Sequence, residues 1–190
     1  MRFTHTCATA AAVTALALTG AAPAFGAASP SASPSDTTDV VFLKAIHQSN
    51  LAEIAAGKDA RTHANGACVK QVADIIVRDH TTLDSKGADL AKSKSITLPK
   101  EATAAQQKSL SALKPMNGTK AYDVAWLKVQ SSGHQQALAL IDKELKSGTD
   151  SQIKAAAKEA RPIVAGHLKM VEGGVCHTPA SSSPSASPQR

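Results

Sequence analysis

The stretch VADIIVRDHTTLDSKGADLA, Val72 to Ala91, decides the fold. Together with Val69 just before it, the positions Val72, Ile76, His80, Leu83, Gly87 and Leu90 form one stripe. That is the spacing of an amphipathic helix and not the alternation of a strand. His80 stands at the centre of the stripe. A histidine among Ile and Leu must find a hydrogen-bond partner or a metal, because burying its ring nitrogens unpaired costs roughly 1–3 kcal/mol.

Upstream, a helix is predicted from Thr38 to about Ala64. Phe42, Leu43, Ile46, Asn50, Glu53, Ile54 and Gly57 fall within one arc of it, and Asn65-Gly66 is expected to supply a left-handed stop. Downstream, the periodicity lapses between Ala91 and Asn117. Ser93 to Thr97 is polar, Leu98-Pro99 breaks any helix, and Glu101 to Leu113 can form a short one before Pro115 and Gly118. This connection is too long for a tight turn between helices. A third long helix runs from about Thr119 to Lys146, with Leu127, His134, Leu138, Ile141 and Leu145 on one face. Ser147-Gly148-Thr149-Asp150 ends it and caps the next. The fourth carries Ile153, Ala157, Ala160, Val164, His167 and Val171, and Pro162 should kink it by removing a backbone donor. Glu53, His80, His134 and His167 thus lie one on each of four helices.

The flanks have a different character. Residues 1–28 combine Arg2, an apolar run from Ala8 to Leu18 and small residues that permit cleavage after Ala24 or Ala28, which reads as a secretory signal peptide. The run falls short of a membrane span, and no other segment is apolar enough, so no span is expected once the signal is removed. Residues 29–37 and 175–190 are Ser/Pro-rich and share SPSASP, at Ser29–Pro34 and Ser183–Pro188; both read as disordered. The domain between them, 38–174, suits one core. The net charge of +6 becomes +5 without Arg2, spread over Lys-rich faces, and beyond residue 28 only Phe42, Tyr122 and Trp126 are available for stacking. That argues against nucleic acid and leaves anionic cell-wall polymers or envelope proteins as possible partners. No Gly-x-Ser-x-Gly, phosphate loop or Cys-His context appears, so an enzyme is not expected.

The blocks FLKAIHQSNLAEIAAGKDA (42–60), VADIIVRDHTTLDSKGADLA (72–91), ITLPKE (96–101), AYDVAWLKVQSSGHQQALALIDKEL (121–145) and PIVAGHLKMVE (162–172) resemble, in order, the DUF4142 family of exported bacterial proteins of unknown function. The resemblance implies an all-α, ferritin-like antiparallel four-helix bundle with a long crossover connection between its second and third helices. Its pattern maps onto Glu53, Asp79, His80, His134 and His167. Family members often carry an acid before the third-helix histidine, where this chain has Gly133.

Di-iron bundles use Glu-x-x-His pairs, and here Val77 and Val164 stand three residues before His80 and His167. One Glu and three His suit instead a single Zn, Fe or Cu ion. The expected product is therefore an exported bundle that binds a metal through Glu53, His80, His134 and His167. The alternative is an envelope interaction or stress-response module whose polar core only fixes helix register. Asp79 then interacts locally with His80, and His167 caps carbonyls or meets water. His47, His63 and His177 read as surface residues. Tyr122 and Trp126 pack at the start of the third long helix.

Two further arguments pull apart. Counted along the chain, Glu53 and His80 are level, but in the crossover topology His167 sits higher by on the order of 10 Å. Cys68 and Cys176 meet only in that topology, and in an exported chain they are expected to form a disulfide. On this reading Glu53, His80 and His134 make a cluster and His167 is an outlying fourth member.

Overall fold

A computed structural model describes residues 37–178, all of them helix, turn or loop, with no strand. The expected signal peptide, most of the expected linker and the tail beyond Thr178 lie outside the described residues. Four long helices, α1 (Thr38–His63), α2 (Ala67–Ser93), α4 (Lys120–Ser147) and α5 (Ser151–Val171), are joined by short turns and by a connection containing α3 (Ala104–Ser111).

Each start has a local cause. Thr37 and Thr119 accept hydrogen bonds from Val40 N and Tyr122 N, and Asp150 accepts from Gln152 N and Ile153 N. Thr103 and Gln106 form a capping box on α3. The turn between α1 and α2 is built differently from the expected left-handed stop. Gly66 has φ −86°, and the carboxylate of Asp123, reaching across from α4, takes the amides of Asn65 and Gly66 at 2.8 Å each. A long-range acceptor does there what a left-handed glycine does elsewhere. α5 runs as one helix through Pro162.

Hydrogen bonds fix which ends meet. Gly118 N donates to His63 O at 2.8 Å, so α4 begins beside the α1–α2 turn. At the other end, the α4–α5 turn closes on the first turn of α1, where Asp39 accepts from Thr149 N, Thr149 Oγ1 and Asp150 N. The connection thus leads from the end of α2 to a start of α4 that lies beside the α1–α2 turn. On the way it covers His47, which is half-buried where a surface residue was expected. Its Nδ1 meets Asp84 Oδ1 at 2.7 Å and its Nε2 meets Pro99 O at 3.1 Å. His63 pairs with Asp59 at 3.0 Å, and His177 is exposed.

Cys68 and Cys176 are joined by a disulfide across a sequence separation of 108 residues. With His177 N bonded to Met170 O, this ties 175–178 to the domain. In the chain-entropy picture a loop of this size stabilises the fold by about 5 kcal/mol.

Two apolar clusters fill the interior. One, near the α1–α2 turn, gathers Val72, Ile76, Leu113, Tyr122, Trp126 and Val171. The other, toward the α4–α5 turn, gathers Phe42, Leu43, Ile141, Ile153 and Val164. Each such large side chain contributes about 1.5–3 kcal/mol by leaving water. Along every long helix the residues between the two clusters are polar and buried: Asn50 and Glu53, His80, Gln130 and His134, and His167. The candidate site is this layer.

Candidate metal centre

All three histidine rings are essentially inaccessible, 1 to 2% exposed, and their centroids lie 5.2 to 5.4 Å apart. Each ring has one nitrogen turned outward to an acceptor. His80 Nδ1 meets Asn50 Oδ1 at 2.9 Å, an oxygen oriented by Asn50 Nδ2 donating to Asp84 Oδ1 at 3.4 Å. His134 Nδ1 meets the carbonyl of Gln130 at 2.8 Å, and His167 Nε2 meets Asp79 Oδ2 at 2.9 Å. A carbonyl or carboxylate oxygen can only accept, so the outer nitrogens carry the protons.

The inner nitrogens are then bare lone pairs when the rings are neutral. His80 Nε2 lies 3.4 Å from His134 Nε2 and 3.3 Å from His167 Nδ1, and all three ligand atoms fall within 4.8 Å of one another. Burial, and next the neighbouring His134 and His167, push the His80 pKa well below its ordinary value. For His167 burial also lowers it and Asp79 offsets part of the effect. Burial opposes the charge of Asp79, but Arg78, at 2.7 and 3.1 Å, and His167 hold its carboxyl below the usual range. The Asp79 carboxylate thus stays charged and available to orient His167.

His167 is level with the other histidines, contrary to the count along the chain. That count treats the turn residues 149–150 as helical rise. Measured from the helix ends, His134 is thirteen residues before Ser147 and His167 sixteen after Ser151, a difference of about 4.5 Å that side chains can span. α5 stops at Val171, and a 3-10 turn over Glu172–Gly174, with Gly173 and Gly174 at φ +67° and +71°, leads on to Cys176.

Glu53 stands apart from the three facing nitrogens. Its Oε1 is 3.9 Å from His134 Nδ1, the outer nitrogen that already donates to Gln130 O. Burial pushes its carboxyl up, with His134 and Gln130 acting in the opposite sense. Gly133 explains how it fits: a Cβ there would lie 2.7 Å from Glu53 Oε1. Glu53 from α1 thus occupies the space that a side chain at position 133 would need.

The sequence reading passed over Asn50 and Gln130 and gave Asp79 a local role. Asp79 in fact spans to α5 because residues adjacent in a helix point about 100° apart, toward different neighbours. An Asn in the apolar arc one turn before Glu53 was a usable sign of a second buried polar position. Gln130 contributes a backbone carbonyl, for which no residue-type signal exists.

An all-helical domain with a buried trihistidine centre is the class that these features define. The chain belongs to DUF4142, a domain of unknown function, whose family model matches residues 24–173. In fold it is similar to the crystal structure of a DUF305 fragment from Deinococcus radiodurans, with a TM-score of 0.64 and 13% identity. The match covers 76% of this chain and 97% of that one. No curated protein matches the chain.

Proposed function

We propose that the protein is an exported, ferritin-like antiparallel four-helix bundle with a long crossover, holding one transition-metal ion at its centre through His80, His134 and His167. The observation that carries this reading is the convergence of three inner lone pairs, each kept free of a proton by an outer acceptor. The donor set fits the group. Three nitrogens around a tetrahedral ion at 2.0–2.1 Å would stand about 3.3 Å apart, against 3.3 and 3.4 Å for two of the pairs here. Neutral imidazoles suit Zn, Cu or Fe, and a fourth position is left for water or a small ligand. Glu53 acts as a buried neighbour of His134, and Asn50, Asp79 and the Gln130 carbonyl orient the rings.

Export is supported by the Cys68–Cys176 disulfide and by the leader-like residues 1–28. Among the described residues no helix is long and apolar enough to cross a membrane.

The second reading, an envelope module with a purely structural polar core, has one observation in its favour: a single proton between His80 and a neighbour would also satisfy the centre. Metal analysis of protein purified without a histidine tag separates the two. The expected result is one equivalent of metal, a higher Tm on metal addition, and loss of both in His80→Ala and in His167→Ala. A protein that neither retains nor binds metal, with a Tm indifferent to it, would falsify the first reading. Retention of His80→Ala on cell-wall material would then favour the second.

A further inference from the structure

An open groove of about 590 Å³ lies between α2 and α5, where His167 meets Asp79. His167 itself lines it, whereas the cavities between α1, α3 and α4 and between α1, α2 and α5 are lined by none of the three histidines. Four residues of the groove carry atoms that ligate transition metals: Asp79, His167, Met170 and His177.

Exposure orders these residues from mouth to floor. His177 is exposed, held in place by its own amide donating to Met170 O at 2.8 Å and by the adjoining Cys176 in the disulfide. The Asp79 side chain is 22% exposed, and that of His167, bonded to it, is 3% exposed. Arg78 and Lys169 also line the groove, and Arg78 is engaged by Asp79. Their charge opposes a free cation, so passage there depends on ligand atoms and not on the field. Gly166 keeps the groove open, since a Cβ at that position would meet nothing within 4 Å.

Given a metal at the centre as proposed above, we infer that this groove is the route by which the ion enters and leaves, passing from His177 at the mouth to Asp79 and His167 at the floor. An ion that takes the Asp79 carboxylate removes the acceptor that holds His167 Nε2–H. The ring is then free to turn, and its bare Nδ1 carries the ion inward to the position facing His80 Nε2. No proton has to move in this step.

The test is cobalt exchange in the full chain: stopped-flow uptake of Co²⁺ by metal-free protein, read by visible absorption, and release to EDTA. A side chain that blocks the route slows both directions alike and leaves the affinity unchanged. Gly166→Leu should therefore slow uptake and release at least about tenfold, with Kd within about threefold of the parent. His177→Ala, which removes the outermost ligand, should slow both by about threefold or more. Gly87→Leu fills the cavity between α1, α2 and α5, where a Cβ also meets open space, and should exchange within about twofold of the parent. The inference is overturned if Gly166→Leu or His177→Ala exchanges at the parental rate, or if Gly87→Leu is slowed as much as Gly166→Leu. A parent that takes up no cobalt overturns the metal reading and this route with it, whereas parental rates in variants that do bind cobalt overturn the route alone. Circular dichroism checks that each variant is folded, and His177→Ala, at an exposed position, decides if Gly166→Leu is not.

Discussion

At mid-height three imidazoles turn lone pairs toward one another, and at the α4–α5 turn two carboxyls, Asp39 and Glu144, are buried side by side. Both places crowd groups of one kind, yet their surroundings differ. Around the imidazoles every outer N–H has an acceptor, so the centre is left with acceptors and no proton of its own. At the turn all the donors go to one partner. Asp39 receives Thr149 N, Thr149 Oγ1 and Asp150 N, whereas Glu144 receives no donor and has only the Asp39 carboxylate to which its own proton can be given. Burial works against the Asp39 charge, but these bonds outweigh it and hold its pKa at about 2. Burial, and next the Asp39 carboxylate, raise Glu144 to about 7. Local donor supply thus decides whether crowded groups of one kind are left as bare lone pairs or settle by keeping a proton.

The comparison breaks most severely at Asp39. Asp39→Ala leaves the amides of Thr149 and Asp150 and the Thr149 hydroxyl without their acceptor and frees the α4–α5 turn from α1. The expected loss is about 2–4 kcal/mol in urea unfolding at pH 7. Metal affinity should remain close to the parent value, because the histidine centre lies elsewhere along the helices. A loss below about 0.5 kcal/mol would show that the turn does not depend on this carboxylate.

The next effect sharpens the other side. Asn50 holds the outer nitrogen of His80 and is itself held by Asp84. Asn50→Ala frees the ring to turn or change tautomer, and metal affinity should drop roughly 10–100-fold. His63→Ala, on a half-exposed ring paired only with Asp59, is the control and should leave it unchanged. Equal affinities in the two variants would mean that the outer acceptors do not set the centre.

These positions also mark how far the sequence could be read. Long helices were legible because stripes such as Val72, Ile76 and Leu83 repeat at helical spacing, and Thr119 and Asp150 announce their helices at the caps. The histidines stood out as polar residues inside apolar stripes. Their partners did not, since which acceptor faces which ring depends on helix rotation, and a one-residue step turns a side chain by about 100°. The level of His167 was misjudged for a related reason: height follows helix ends and turn geometry, which the residue count cannot supply. Glu144 went unremarked because it reads as one more charge on a Lys-rich helix until the start of α1 folds over it.

The smallest effect lies in Glu144 and has a definite sign. Its pKa rises from an ordinary 4.5 to about 7 on folding. Between those values the unfolded chain has released the proton while the folded protein still holds it, so stability falls as pH rises through this window and the penalty is complete above it. Asp39 acts oppositely: its contribution is present above its ordinary 3.8 and is lost as pH falls toward 2. The turn is therefore most stable near pH 4. Glu144→Gln removes the upper slope alone, so the variant should gain about 1–2 kcal/mol over the parent at pH 8 and nothing at pH 4, read as urea midpoints at the two pH values. Parallel pH profiles for the two proteins would mean that Glu144 ionises freely in the fold, and the contrast with the histidine centre would then rest on Asp39 alone.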